Sequence, residues 1–242
     1  MRARKRISRR SQGRKHVRLA LMLAGAIGLL ACNSGGGGGG NSITGPGAFV
    51  VGSGVTVTET RAVSGINGVA ISGVGLLIIE QTGSESLTVT AEENILPLLT
   101  VDIVGDLLIL GIQANTQINT SQEIVYRLTV RAIDRISASG AARVEATGLN
   151  TSFLEATLSG ATAATLAGTA QRQTVNVSGA SRYDAAGLSS RFATVDISGA
   201  SSAVLRVSDR LEGVVSGVAV LEYYGDPVVT IAGGGSARRI GG

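Results

Sequence analysis

Five Ser-Gly dipeptides recur through the second half of the chain. They begin at Ser139, Ser159, Ser178, Ser198 and Ser216, at separations of 20, 19, 20 and 18 residues. A unit of about twenty residues rich in Ala, Thr, Ser and Val is too small to enclose a core alone. It becomes stable only when stacked on its neighbours, so a period of this length points to a solenoid. Alternating apolar residues precede the dipeptide, as in Val175 and Val177, then Val195 and Ile197. That period-two pattern is a strand with one buried face. A second glycine follows nine positions after the serine in four of the five units, at Gly148, Gly168, Gly187 and Gly225; the fourth unit has Val207 there.

The fold class expected is all-β: a short β-solenoid, or β-helix-like stack, with about 20 residues per coil, preceded by a strand-rich N-terminal part. Stacked coils lie one strand spacing apart, roughly 4.8 Å. The Ser-Gly pair forms one corner and the second glycine another. Glycine suits a corner because it accepts backbone angles that crowd a Cβ. The serine hydroxyl is expected to bond the coil above or below. Recurrence of the serine follows from the architecture and does not by itself make a catalytic or glycan-binding ladder.

The strand-rich part runs from Val55. Short β-prone runs such as "VTVTETRAV", "VGLLIIEQ", "SLTVTA" and "DLLILGI" are separated by Gly, Ser and Asp. "AEENILPLL" reads as a helical turn limited by Pro97. In "EIVYRLTVRAI", Ile124, Tyr126, Leu128 and Val130 alternate with Val125, Arg127, Thr129 and Arg131, a strand with one inward face.

The chain opens with a basic segment, then thirteen apolar or Gly residues from Leu19 to Ala31, then Cys32. Thirteen is short for a membrane-spanning helix and suits the hydrophobic region of a signal peptide. "LLAC" resembles a bacterial lipobox, in which the cysteine is lipidated and becomes residue one. The expected organisation is a lipoprotein signal peptide at 1–31, lipidated Cys32 with a Gly-rich flexible tether at 32–54, the β-solenoid domain at 55–230 and a C-terminal tail at 231–242. Six consecutive glycines in the tether bury nothing and carry high chain entropy.

Removing the leader changes the function classes open to the chain. Its formal charge of +4 becomes −5, because nine of 21 basic residues lie before Cys32 and all 17 acidic residues lie after it. The basic footprint of a nucleic-acid binder is missing. His16, the only histidine, and both lysines leave with the leader, and Cys32 is the only cysteine. Ser–His–Asp, Cys–His and Ser–Lys machinery are excluded, as is a zinc site of the usual nitrogen and sulfur ligands. No cofactor, metal site or catalytic residue is assigned. Asp184, Asp196, Asp209 and Asp226 fall at different points of their units and do not form an obvious carboxylate pair or calcium cluster.

From Thr58 to Val229, "TETRAVSG", then "ESLTVTAEENILPLL", then the repeated "SGA" units occur in an order and spacing that resemble the auto-transporter adhesin, head GIN domain family of bacteria. The resemblance implies a short all-β, β-helix-like domain exported to the envelope, often behind a lipobox. It brings no catalytic residues with it.

The function expected is a non-catalytic envelope lipoprotein with an adhesin-like binding or scaffold domain. A purely structural, self-associating lipoprotein is the alternative, and a polysaccharide-active enzyme a lesser one. The partners expected are the membrane through the lipid, a glycan or protein surface ligand, and a second copy. The location expected is the outer membrane, because Asn33 is not the aspartate that retains many lipoproteins in the inner membrane. Arg182, Tyr183, Tyr223 and Tyr224 are the binding residues suggested by sequence, since tyrosine gives contact area at low entropy cost.

Overall fold

The computed structural model describes residues 48–241. The signal peptide, Cys32 and most of the proposed tether lie outside the described residues. The described chain is all-β. Its strands are β1 (Ala48–Val51), β2 (Thr56–Arg61), β3 (Gly68–Gln81), β4 (Ser86–Glu92), β5 (Leu99–Val104), β6 (Leu107–Ile112), β7 (Thr116–Asn119) and β8 (Val125–Val130). The long strands β9 (Arg135–Leu158), β10 (Ala163–Val177), β11 (Arg182–Ile197) and β12 (Ser202–Val215) follow, then β13 (Val220–Tyr224), β14 (Val228–Ala232) and β15 (Ser236–Gly241). The helical turn expected around Pro97 is a single 3-10 turn at Leu96–Leu98.

Strands β3, β9, β10, β11 and β12 lie side by side in parallel, each the rung below the next. Apolar residues of the repeats fall into inward columns. Leu158, Val177, Ile197 and Val215 stand above one another, all nearly inaccessible to solvent. Burying such a side chain stabilises by about 1.5–3 kcal/mol. Another column runs Val144, Ala164, Tyr183, Ala203, Leu221. The alanines on either side of Tyr183 leave room for its ring.

The Ser-Gly corners stack as the period requires. Gly140, Gly160, Gly179, Gly199 and Gly217 all have φ between 71° and 83°, where a side chain is strained. Each also sits on the backbone of the glycine beneath. A Cβ on Gly179 would lie 2.5 Å from the Gly160 carbonyl oxygen, and one on Gly199 would lie 2.6 Å from that of Gly179. Backbone bonds close the corner: Ala180 N–H donates to Gly160 C=O, and Ala200 N–H to Gly179 C=O, each at 2.8 Å. The serine beside the glycine contributes less than its recurrence implies, since Ser178 Oγ is 3.5 Å from the Leu158 carbonyl. The bridging hydroxyl belongs to the residue three further on. Ser181 Oγ lies 2.8 Å from the Ser178 carbonyl and 3.3 Å from that of Gly160, and Ser201 repeats the arrangement one rung later.

The rungs begin earlier than the repeat suggests. Ser72-Gly73 on β3 stands in register with Ser139-Gly140 on β9, 67 residues away. The intervening chain covers the open side of this first rung. Strand β6 pairs with one half of β3 and β8 with the other half. Antiparallel partners complete the cap: β5 on β6, β4 on β8, and β2 on β4. Its interior is built from large side chains, among them Ile66, Leu87, Leu108, Leu110 and Leu128. Ile124, Tyr126, Leu128 and Val130 all point inward, as their alternation predicts.

Both ends of the ordered domain extend past 55–230. Ala48–Val51, within the span read as tether, pairs with Thr116–Asn119. The span read as a tail, 231–242, continues the stack as far as Gly241: β14 pairs with β12, and β15 with β13. Both segments were hidden for the same reason. Backbone bonds hold β1 to β7 in a separate two-stranded sheet and β14 and β15 to the stack, although Phe49, Val51, Val228 and Ile240 remain exposed, so no buried alternation marks them.

Candidate functional site

The corner opposite the Ser-Gly column is irregular. Between the pairs Ala185–Leu205 and Ser189–Arg206, residues 186–188 of β11 have no counterpart in β12. The register offset shifts at the same place between β9 and β10, after Leu166. Gly148, Gly168 and Gly225 stand here with positive φ, at the second corner expected from sequence, whereas Gly187 does not have positive φ. A Cβ on Gly225 would lie 2.0 Å from the carbonyl oxygen of Val207, the residue that takes the glycine's place in the fourth unit. The mismatched rung lengths open a groove of about 820 Å³ across β9–β13, lined by residues including Asn150, Thr169, Gln171, Ser189, Arg191, Arg206, Ser208 and Asp226.

A buried polar chain supports its floor. Tyr183 Oη donates to Gln173 Oε1 at 3.0 Å, Gln173 Nε2 donates to Ser190 Oγ at 2.7 Å, and Ser190 Oγ donates to the Arg206 carbonyl at 2.9 Å. Tyr183 and Gln173 are fully enclosed, so each would cost free energy without the other. Burial pushes the Tyr183 hydroxyl well above the ordinary phenol range. It remains a neutral donor, and the chain holds the Arg206 backbone at the groove.

Two guanidinium groups, Arg191 and Arg206, line the groove, and Arg172 directly follows its lining residue Gln171. Arg206 lies 4.7 Å from the Tyr224 ring centroid and donates from Nε to the Ala186 carbonyl at 2.9 Å. Arg191 donates from Nε and Nη2 to one oxygen of Asp209, at 2.9 and 2.7 Å. The Ser208 hydroxyl, then Arg191, hold the Asp209 carboxyl below the usual range. Arg172 and Arg191 both lie over Phe192, at 5.1 and 5.3 Å from its centroid. Asp226 pairs with Arg239 at 3.1 Å.

Of the residues singled out from sequence, Tyr224 reaches the groove by supporting Arg206, and Tyr223 packs half-buried against the core. Arg182 is exposed at the start of β11, 3.6 Å from Asp184, and is not among the residues that line the groove. Tyr183 is corrected from the surface to the core: Arg182 and Asp184 point outward, so strand alternation turns Tyr183 in. It serves the groove from beneath. Arg172, Arg191, Arg206, Phe192 and Gln173 were not anticipated. One signal could have found part of this set. Phe153, Arg172, Phe192 and Arg210 each stand six residues before the next Ser-Gly serine. In the structure they form one column.

Among the described residues, no group of three or more His, Cys, Asp or Glu side chains is placed to hold a metal ion. No helix among them is long and apolar enough to cross a membrane.

A family model described as "Putative auto-transporter adhesin, head GIN domain" matches residues 66–227. No curated protein matches the chain. Solved structures with a similar fold include a "putative adhesin" of Bacteroides fragilis NCTC 9343, with TM-score 0.65, 20% identity, and coverage of 79% of this chain and 100% of that one. A "putative adhesin" of Parabacteroides merdae ATCC 43184 has TM-score 0.52 and 18% identity, covering 80% of this chain and 99% of that one. A "putative lipid binding protein" of Parabacteroides distasonis ATCC 8503 has TM-score 0.51 and 17% identity, covering 79% and 99%. At these identities the likeness is one of fold.

Proposed function

Since the chain belongs to the auto-transporter adhesin, head GIN domain family, we propose that it is a non-catalytic binding module of the bacterial envelope. Its rungs wind as a short solenoid, and the groove across β9–β13 is its binding face. The observation that carries this reading is the groove itself: a cleft of about 820 Å³ walled by hydroxyl, amide and guanidinium groups. Such a cleft has the size and the few placed polar groups of a ligand site. The carboxylates nearest it, Asp209 and Asp226, are engaged by Arg191 and Arg239. That arrangement favours recognition over acid–base chemistry.

In this reading the domain is held at the outer membrane by lipid on Cys32 after removal of 1–31, with the Gly-rich segment as spacer. Mass spectrometry of the mature N-terminus tests the anchor: an unmodified Cys32 within an intact chain would sink it. Protease shaving of intact cells tests display. Digestion of the domain supports an adhesin-like role, and protection favours a scaffold facing the periplasm. Ser189→Trp, which sets an indole ring across the middle of the groove, is expected to abolish attachment of purified protein to its target surface without lowering Tm.

A second reading, self-association, is favoured by the last rung. Strands β14 and β15 carry exposed Val228, Val229 and Ile240 at the end of the stack. Open strand edges pair readily with other chains. Sedimentation of the wild type and of Val229→Lys distinguishes this reading, since only an edge-paired dimer dissociates in the variant.

A further inference from the structure

We propose that the groove takes an acidic polysaccharide, whose carboxylate or sulfate groups are held by arginines on successive rungs; this rests on the groove being the binding face. Next to the lining residues Ser152, Gln171 and Arg191, the column Phe153, Arg172, Phe192, Arg210 alternates aromatic ring and guanidinium on β9 to β12. Arg172 and Arg191 share the Phe192 ring, and Arg206 lies over Tyr224. Stacking on a ring fixes a long side chain by its flat face and leaves the in-plane N–H donors facing outward. Bidentate recognition of carboxylate or sulfate oxygens uses those donors.

The cations are not all neutralised. Among the described residues, Arg172 and Arg206 take part in no ion pair, whereas Arg191 is held by Asp209. Arg206 spends Nε on the Ala186 carbonyl and keeps its terminal nitrogens for a ligand. These groups belong to β10, β11 and β12, and adjacent rungs are separated by roughly 4.8 Å. A lone small anion meets one of them. A polymer with recurring charge, lying across the rungs, meets several at once. Asn150, Gln171, Ser189 and Ser208 supply donors and acceptors suited to sugar hydroxyls. Two unpaired arginines are too few for a nucleic-acid backbone. A recessed cleft lined with hydroxyl and amide groups suits a chain better than a flat membrane surface.

The test uses the purified full chain with four probes: polygalacturonate oligosaccharides, dextran sulfate, neutral dextran and phosphatidylglycerol vesicles. Calorimetry is expected to show binding of at least one acidic glycan, weakening as salt rises. The Arg172→Gln/Arg206→Gln pair should weaken it by about tenfold or more, with Tm unchanged. Neutral dextran should not bind. Failure of both acidic glycans to bind overturns the proposal, as does binding of vesicles alone. Neutral dextran binding that survives the arginine changes but is lost in Ser189→Trp overturns the acidic ligand and keeps the groove. Acidic-glycan binding that is lost in the arginine variant but persists in Ser189→Trp removes the groove instead and overturns the proposal as stated.

Discussion

In the cap formed by β2, β4, β5, β6 and β8, the interior is filled by Leu87, Leu108, Leu110 and Leu128, and the strands pair largely antiparallel. In the rungs β9 to β12 the same role falls to Ala156, Ala164, Ala185 and Ala203 among Val and Leu, and all strands run parallel. A Leu core tolerates backbone variation because side chains fill what the backbone leaves. An Ala-rich core has no such reserve, so the backbone itself must fit. The difference shows at the glycines. Gly83 in the cap has φ 86°, and nothing lies within 4 Å of where its Cβ would stand, whereas Gly179 in the rungs touches another backbone. The same conformation thus serves a free turn in one region and a packed contact in the other.

The sharpest test follows from those glycines. Gly179→Val is expected to destabilise by about 3 kcal/mol or more, since the side chain meets both a strained φ and the Gly160 carbonyl. Gly83→Ala should cost only about 1–2 kcal/mol, the conformational part alone. Equal losses in urea denaturation would break the contrast.

The next effect concerns the two buried tyrosines. Tyr183→Phe leaves the Gln173 carbonyl oxygen without its donor, at a cost of about 1–3 kcal/mol. The Tyr126 hydroxyl has no hydrogen-bond partner among the described residues, and burial raises its pKa to about 12. Tyr126→Phe should therefore be nearly neutral, and a thermal melt showing the reverse order would refute the role given to the polar chain.

Acid should act on the cap at two carboxylates. Glu92 accepts bonds from Ser121 Oγ at 2.7 Å and Gly54 N–H at 2.8 Å, and these hold its carboxyl below the ordinary range, the Ser121 bond foremost. Glu85 is lowered by the N–H groups of Ile66 and Gly65. A depressed carboxylate stabilises the fold above its unfolded pKa, and that contribution fades as pH falls towards and through the folded value. Hydrogen-exchange protection at Gly54, Gly65 and Ile66, corrected for the intrinsic slowing of exchange in acid, should therefore fall before protection in β10. Glu92→Gln should remove the acid response at Gly54. A uniform loss of protection along the chain would erase this distinction.

The smallest effect is expected at the most conspicuous residue. Ser178→Ala should change stability by less than about 0.5 kcal/mol, because its contact is long, whereas Ser181→Ala should cost about 1 kcal/mol. Loss of ligand binding in a stable Ser178→Ala would make the serine column functional after all.

The period of twenty carried the parallel rungs because the stacked backbone at the Ser-Gly corner requires Gly on each rung. It did not carry Ser72-Gly73, since the cap strands separate this first corner from the next by 67 residues. The groove was hidden for a related reason. Counting forward from each serine crosses the irregular corner, where register slips, and scatters the outward residues. Counting backward avoids it, and Phe153, Arg172, Phe192 and Arg210 fall at one position. Tyr183 was legible from Val175 and Val177 by continuing strand alternation around the corner, but its bond to Gln173 depends on side-chain placement that no spacing encodes.

The two corners impose different rules on inherited changes in length. At the Ser-Gly corner each glycine rests on the one below, so losing a single residue there would bring a Cβ-bearing neighbour onto a carbonyl. At the opposite corner the rungs already differ by one to three residues and remain paired on both sides. Insertions and deletions of a few residues should accumulate at that corner alone, while elsewhere the chain lengthens or shortens by whole turns. Its relatives would then vary most in the wall of the groove and least in the stack that carries it, so that the shape of the cleft changes while the pairing beneath it stays the same.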